Sequence, residues 1–319
     1  MSAAISMTAP VLMATWDAGV FVVSGDAPQQ ELADHSVRAL ATDGHGGVLA
    51  IVDGRSLCHR ANDGAWSTIA IAEKDLTCCV AAGEIIYAGT DDALALRIDA
   101  AGEIEPLRSF EEVAGRDRWY AGTAVIDGKV VGPPLGVRSI TATCDSAVLL
   151  ANVHVGGIPR SADGGASWQP TIDIRSDVHE VRAHPRRPDI VAAAAAIGLC
   201  TSSDGGVTWE VEQRGLHALH CSAVAFVGDD ILVSASEGPF AAQGAIYRRG
   251  VDERGPLVPV TGGLPTWLEG KTDTRCIAAS GAAVAIADWN GNLYVSADYG
   301  RTWSCRARGI PTPSSVLIV

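Results

Sequence analysis

The sequence predicts an all-β protein, and three observations favour a seven-bladed β-propeller. An eight-residue stretch recurs as "SADGGASW" from Ser161, "SSDGGVTW" from Ser202 and "SADYGRTW" from Ser296. The tryptophans that end these copies are spaced by one and then two units of roughly 41 to 47 residues, which matches the period of a propeller blade. Short β-branched runs separated by Gly-rich turns surround each copy, and this pattern is typical of small antiparallel sheets.

Each predicted blade has four strands joined by turns, with the recurring stretch just before its outermost strand. The clearest unit, 178–213, has strands near "VHEVRAH", "IVAAAAA", "GLCTS" and "TWEVEQ". The N-terminal "PVLMATWDAGVFVVSGD" supplies second and third strands without a first, and the C-terminal "SSVLIV" is a first strand with nothing after it. We therefore expect both ends of the chain to share one blade, which closes the ring without an exposed edge.

The predicted organisation is a single domain over 1–319. Six or eight blades also fit, because the units that lack the recurring stretch rest on pattern alone. The predicted blades are 314–319 with 11–33, 37–70, 76–109, 138–172, 178–213, 221–260 and 274–307, with an inserted loop at 110–137.

Composition excludes several classes of partner. The chain has 24 Lys and Arg residues and 37 Asp and Glu residues, which gives a net charge of -13. Because phosphate binding needs clustered cationic side chains, we expect no nucleic-acid partner. The N-terminal sequence lacks the basic and apolar regions of a signal peptide, and no apolar run is long enough to span a membrane. Eight irregularly spaced cysteines are typical of reduced thiols. The sequence predicts a soluble, cytoplasmic protein without a membrane partner.

The recurring stretch resembles the Asp-box, or BNR repeat, of sialidases, sortilin-type receptors and a photosystem II assembly-factor family. That resemblance implies a hairpin between the third and fourth strands, away from the ligand face. We interpret the box as structural, because Asp can accept hydrogen bonds within its own turn, Gly supplies a special backbone conformation and Trp packs between strands. Calcium binding is less favoured, because the ligand count of a calcium site is not met. "RANDGAW", 60–66, resembles a decayed copy. The box residues are Ser161, Asp163, Gly165 and Trp168; Ser202, Asp204, Gly206 and Trp209; and Ser296, Asp298, Gly300 and Trp303.

A ligand site is predicted where the first strands begin. Because side chains alternate along a strand, a common register would direct one residue of each blade to the same place. Several of these residues are cationic, so we predict a carboxylate or phosphate site at the mouth of the channel. The alternative is that each Arg pairs with a neighbouring acidic residue. The aligned positions are Arg38, Cys78, Arg138, His179, Ser222, Arg275 and Ser315.

The loops between second and third strands add further candidates. Trp16 and Trp289 form an expected aromatic pair for a sugar or another flat ligand, or else plugs above the core, and Glu237 lies in an equivalent loop. His154 and His179 are the candidates for a transition-metal site, with Cys78 as a further ligand. No close-spaced His or Cys motif supports this site, so a bound metal is the less favoured interpretation and the cofactor stays open.

Two long connections are predicted lids. The insertion 110–137 carries Trp119 and Tyr120, and long connections in compact domains are often functional. A shorter connection places Trp267 and Lys271 in a comparable position.

We expect the protein to bind a small carboxylate-bearing ligand or a partner protein. The alternative is an enzyme that uses His179 or His154 as acid or base on an anionic substrate, with or without a metal. Sialidase-like hydrolysis is a less favoured variant, for which the resemblance implies an arginine triad and a tyrosine nucleophile, with Tyr120 as the candidate. The sequence departs from that family in lacking an early Arg-Ile-Pro motif, since "GGIPRS" has Ile-Pro-Arg in mid-chain.

Overall fold

The computed structural model describes residues 9–25, 27–122, 124–126, 129–131 and 135–319. Residues 1–8, which contributed to the prediction that a signal peptide is absent, lie outside the described residues. The same holds for 123, 127–128 and 132–134 of the predicted insertion. Among the described residues, no helix is long and apolar enough to cross a membrane.

The fold is all-β, a seven-bladed β-propeller, as the sequence predicts. In the described ranges the only helices are three short 3-10 turns at Arg108–Glu112, Arg116–Arg118 and Ile174–Ser176. In chain order, the strands up to residue 106 are β1 (Val11–Thr15), β2 (Val20–Val23), β3 (Gln29–Glu31), β4 (Val37–Thr42), β5 (Val48–Val52), β6 (Ser56–Arg60), β7 (Trp66–Ile71), β8 (Leu76–Ala82), β9 (Ile85–Thr90), β10 (Ala95–Ile98) and β11 (Ile104–Pro106). The strands between residues 124 and 212 are β12 (Ala124–Ile126), β13 (Lys129–Val131), β14 (Val137–Ala142), β15 (Leu149–Val153), β16 (Pro159–Ser161), β17 (Gln169–Pro170), β18 (Val178–Ala183), β19 (Val191–Ala195), β20 (Gly198–Ser202) and β21 (Glu210–Glu212). The strands from residue 220 onward are β22 (His220–Val227), β23 (Asp230–Ser236), β24 (Gln243–Gly250), β25 (Val258–Pro259), β26 (Leu268–Glu269), β27 (Ile277–Ser280), β28 (Ala283–Ala287), β29 (Leu293–Ser296), β30 (Ser304–Ala307) and β31 (Pro313–Ile318).

The chain forms two compact units. The first contains the described residues up to Leu40, together with Ile197–Leu199 and Val211–Val319, and the second contains Ala41–Ala196 and Cys200–Glu210. The first unit holds the sheets β3-β2-β1-β31, β27-β28-β29-β30 and β22-β23-β24-β25, with β26 paired to β24. The second holds β11-β10-β9-β8, β14-β15-β16-β17 and the hairpin β12-β13, and the boundaries fall within the sheets β4-β5-β6-β7 and β18-β19-β20-β21.

Both ends of the chain share one sheet, as predicted. Strand β31 pairs antiparallel with β1, so that Leu317 lies opposite Leu12 and Val316 opposite Met13. Every residue of β1 is buried, and Met13 and Val316 belong to the same apolar core cluster. The terminal strand is therefore held by ladder hydrogen bonds and by burial of apolar area.

The box turns, 161–168, 202–209 and 296–303, lie between third and fourth strands, and the Asp side chain of each is bonded within its own turn. In the first, Asp163 Oδ1 accepts from Ser161 Oγ at 2.7 Å and from the Ser167 amide at 2.9 Å, and Oδ2 accepts from Ser167 Oγ at 2.6 Å. These bonds, led by that of the Ser167 hydroxyl, lower the pKa of Asp163 to about 2. Gly165 has φ 91°, which favours glycine, and its carbonyl accepts from Trp168 Nε1 at 3.2 Å. The carboxylate is thus engaged within its own turn.

The expectation that Trp119 belongs to a lid is wrong, because Trp119 is part of the core. Trp119 is buried in a cluster with Phe110 and Trp168. Phe110 meets Trp168 edge-on at 5.0 Å and Trp119 at 5.8 Å between ring centroids. Arg116 lies over Trp119 at 4.8 Å and donates to the Ala93 carbonyl at 2.8 Å. Trp119 and Trp168 are buried because removal of their large apolar area from water stabilises the folded protein.

Candidate functional site

Two successive first strands each begin with a β-bulge, and the bulged residues are Arg138 and His179. The pairing of β14 with β15 shifts between Val137 and Ser139, and that of β18 with β19 shifts between Val178 and Glu180. A bulge leaves one residue out of the ladder and redirects its side chain. Arg138 and His179 therefore occupy equivalent positions, as the sequence alignment predicts.

The same bulge in β8 falls on Thr77, so the alignment was wrong in choosing Cys78. The pairing shifts between Leu76 and Cys78. Cys78 is buried in the core cluster, and its thiol donates to the Val137 carbonyl at 3.5 Å. Its side chain follows the apolar alternation of the strand, which removes it from the candidate ligand residues.

Arg275 also differs from the alignment. It precedes β27 and has φ 65°, the left-handed region, whereas the alignment placed it in an extended strand. Strand alternation therefore does not predict the direction of its side chain. Arg38 lies in β4 as expected and, like Arg275, belongs to the first unit.

The imidazoles of His154 and His179 face one carboxylate, that of Asp177. His154 Nε2 lies 3.6 Å from Asp177 Oδ1, and His179 Nε2 lies 3.7 Å from Oδ2. Both imidazoles are buried, whereas Asp177 is 33% exposed and forms the open side of the group. We refer to these three residues as the His-Asp-His cluster.

His154 is positioned by the residues around the end of β15. Its amide donates to the Gly136 carbonyl at 3.1 Å, and its Nδ1 accepts from the Gly122 amide at 3.1 Å. A neutral imidazole with an accepting Nδ1 carries its proton on Nε2, which faces Asp177. Burial and the positive charge of Arg138 lower the pKa of His154 to about 4, so the ring is neutral at pH 7.

The groups around Asp177 favour its ionised form. Burial acts to raise the pKa of its carboxyl group, but His179, His154 and Arg138 together lower it. Its backbone is left-handed, with φ 47°, a conformation that Asp tolerates better than most residues. Asp177 Oδ1 is buried without a hydrogen-bond partner. The exposed part of the carboxylate retains capacity to accept a hydrogen bond from a ligand.

The nitrogen and oxygen atoms of the His-Asp-His cluster lie within 4.8 Å of one another, a spacing that would allow them to hold a metal ion. Two observations argue against a metal ion at this cluster. A neutral histidine that ligates through Nε2 carries its proton on Nδ1, but Nδ1 of His154 accepts the Gly122 amide. Arg138 also places positive charge close enough to lower the pKa of both His154 and Asp177. The cluster fits a hydrogen-bonding site better than a cation site.

Sequence reasoning missed Asp177, whereas Tyr120 stays a prediction. Asp177 was missed because it lies between blades, although its position two residues before the aligned His179 is a usable signal. The Tyr120 side chain is 56% exposed, and its backbone bridges Val155, the neighbour of His154. Trp16, Trp289 and Glu237 are exposed residues of the first unit.

Comparisons with known proteins show the fold alone. Neither protein-family models nor curated proteins give a match to the sequence. Similar solved structures include the computationally designed Ika8 protein, with TM-score 0.59 and 14% identity over 98% of this chain and 87% of that one. A chain of a nidogen/laminin complex has TM-score 0.54 and 10% identity, covering 97% of this chain and 98% of that one. A GH74 enzyme of Niastella koreensis has TM-score 0.61 and 12% identity. The match covers 94% of this chain and 47% of that enzyme's chain.

Proposed function

We propose that the protein binds a small hydroxylated anion, such as a hydroxy acid or sugar acid, at Arg138 and the His-Asp-His cluster. The observation that carries this proposal is the convergence of Arg138 and two buried imidazoles on the partly exposed carboxylate of Asp177. Similar bulges present Arg138 and His179 at the starts of their strands, and His154 is held by its amide contacts. The polar groups are thus positioned before a ligand arrives, which reduces the entropic cost of binding.

The chemistry of the site indicates both features of the ligand. The Arg138 guanidinium is always charged and can grip a carboxylate or phosphate with two parallel hydrogen bonds. Asp177 would repel a plain anion, but the exposed part of its carboxylate can accept a hydrogen bond from a hydroxyl group. A ligand with an anionic group for Arg138 and a hydroxyl for Asp177 satisfies both residues.

Replacement of Arg138 tests this assignment. We expect calorimetric titration of the intact chain to detect a member of a set containing malate, citrate, gluconate and glucuronate, with weaker binding of succinate. The Arg138→Ala variant should lose about 10- to 100-fold in affinity, because charged hydrogen bonds are lost. Arg97, which pairs with Glu105 at 3.5 Å on the outer edge of its sheet, provides the control variant Arg97→Ala.

Two results would contradict the proposal. One is the absence of binding by every compound of the set, and the other is equal binding by wild type and Arg138→Ala. Asp177→Asn refines the test, because it should reduce the preference for malate over succinate while retaining the fold.

A second candidate function, acid-base catalysis on the same class of ligand, is favoured by the position of Asp177 between two imidazoles. A carboxylate that orients an imidazole is a common arrangement for a general base. If the bound anion is turned over, His179→Gln should lower the rate by about 10²- to 10⁴-fold with little change in affinity. Product analysis by mass spectrometry checks this, and metal analysis of the same sample tests for a cation. Unchanged turnover in His179→Gln would refute the role of His179.

The sequence pattern of the box turns supports membership of the Asp-box propellers, and we include that assignment in the proposal. Their hydrogen bonds are internal to the turn, as expected of a structural repeat. The net charge of -13 supports a ligand other than nucleic acid. A protein partner and a cytoplasmic location stay predictions.

A further inference from the structure

We propose that the first compact unit carries a separate site for a neutral oligosaccharide. The site consists of Trp267, Glu269, Trp289 and Asn290, which we call the indole platform. All four residues are exposed. None belongs to the anion site proposed above, so the two proposals stand or fall independently.

The topology brings the Trp289 loop against the short segment that carries Trp267. Strand β26 pairs with β24 through Glu269 opposite Gln243 and Leu268 opposite Gly244. Trp267 and Glu269 are two residues apart in this extended segment and so point to the same face. The Trp289 amide donates to the Lys271 carbonyl at 2.9 Å, and a Cβ on Gly270 would lie 2.7 Å from the Trp289 Cβ.

Trp267 and the Gly270 contact of Trp289 are thus three residues apart along this segment, at most ~10 Å of chain. A ligand that contacts both indoles must therefore be elongated.

Both indoles are exposed but held in place. Trp267 is 44% exposed, and its ring meets the His217 ring edge-on at 4.8 Å. Trp289 is 40% exposed, and Lys271 Nζ lies 5.0 Å from its ring. Both indoles therefore offer an exposed apolar face whose position is held by a neighbouring side chain.

The polar groups of the platform are fixed by a buried carboxylate, that of Asp288. This fully buried side chain accepts from the amides of Asn290 at 3.1 Å, Asn292 at 3.0 Å and Glu269 at 3.3 Å. Glu269 Oε2 in turn accepts from Asn292 Nδ2 at 3.3 Å and from Asn290 Nδ2 at 3.5 Å. Asp288 is thus a positioning residue that ties the Trp289 loop to β26.

This combination of groups points to a sugar. Indole faces pack against the C–H faces of pyranose rings, and carboxylate and amide groups bond ligand hydroxyls. The charge favours a neutral ligand, because Glu269 and Asp288 are acidic and Lys271 is paired with Asp273 at 3.0 Å. Nucleotides and sugar acids would be repelled here, in contrast to the site at Arg138.

A binding experiment on the full chain tests the platform. Cellohexaose, xylohexaose, mannohexaose and maltohexaose are titrated calorimetrically, with hexagalacturonate as an anionic comparison. We expect at least one neutral hexasaccharide to bind and hexagalacturonate to bind more weakly. Trp267→Ala and Trp289→Ala should each weaken binding about 10-fold, as expected for loss of one stacking ring.

Matched controls separate binding from folding. Tyr299→Ala removes a 41% exposed ring at the third box turn and should leave sugar binding unchanged. Glu269→Gln should weaken binding without changing the thermal midpoint, and Arg138→Ala should bind the sugar as the wild type does. The inference is overturned if no neutral hexasaccharide binds, if both Trp variants bind like the wild type, or if hexagalacturonate binds best.

Discussion

Replacement of Trp168 by Ala should destabilise the protein by about 3–5 kcal/mol, the usual cost of truncating a buried tryptophan. The indole is buried against Phe110 at 5.0 Å, and its Nε1 bonds the carbonyl of Gly165. Truncation creates a cavity in the core cluster and also leaves that turn without its tryptophan anchor. In a thermal melt followed by circular dichroism, the midpoint should fall by on the order of 10 °C.

The decayed copy of the box supplies the control. Trp66 occupies the matching position in 60–66 but is only half-buried. Trp66→Ala should therefore lower the melting midpoint much less than Trp168→Ala. Equal midpoint shifts for the two variants would show that the box tryptophans do not derive their effect from burial.

Stability should fall as the pH drops from about 6.5 to about 4, and His154 should account for about 3 kcal/mol of that fall. Burial, Arg138 and His179 lower the pKa of His154 to about 4, against the opposing effect of Asp177. The unfolded chain takes up this proton near pH 6.5, whereas the folded protein takes it up only near pH 4. Between these values the unfolded state binds more protons, so acidification favours unfolding.

Urea unfolding at several pH values measures this effect. The His154→Gln variant should lose most of the slope between pH 6.5 and pH 4, whereas His45→Gln, at an exposed histidine, should keep it. Asp177 acts in a lower window, because its pKa is below 3.8 and its stabilising contribution is lost only as pH falls through that lowered value. Identical slopes in wild type and His154→Gln would contradict the assignment of a buried neutral imidazole.

The candidate site was predicted in part. Arg138 and His179 were identified because alignment of apolar residues locates the start of each first strand, and His154 because it lies in a loop between second and third strands. Asp177 was missed, and Cys78 was chosen where Thr77 is the bulged residue. A bulge depends on how two strands pair, and a single strand's pattern of apolar residues does not reveal which residue leaves the ladder.

The sequence by itself predicted the propeller fold and the sharing of one sheet by both chain ends, and it favoured seven blades over six or eight. These features depend on local chemistry, namely strand alternation, Gly in turns and Asp bonding within its own loop. Only the tertiary structure decided that Trp119 is part of the core, that Arg275 lies outside a strand and that the Trp289 loop contacts the segment that carries Trp267. Each of these follows from packing between residues that are distant in sequence, which no local pattern encodes.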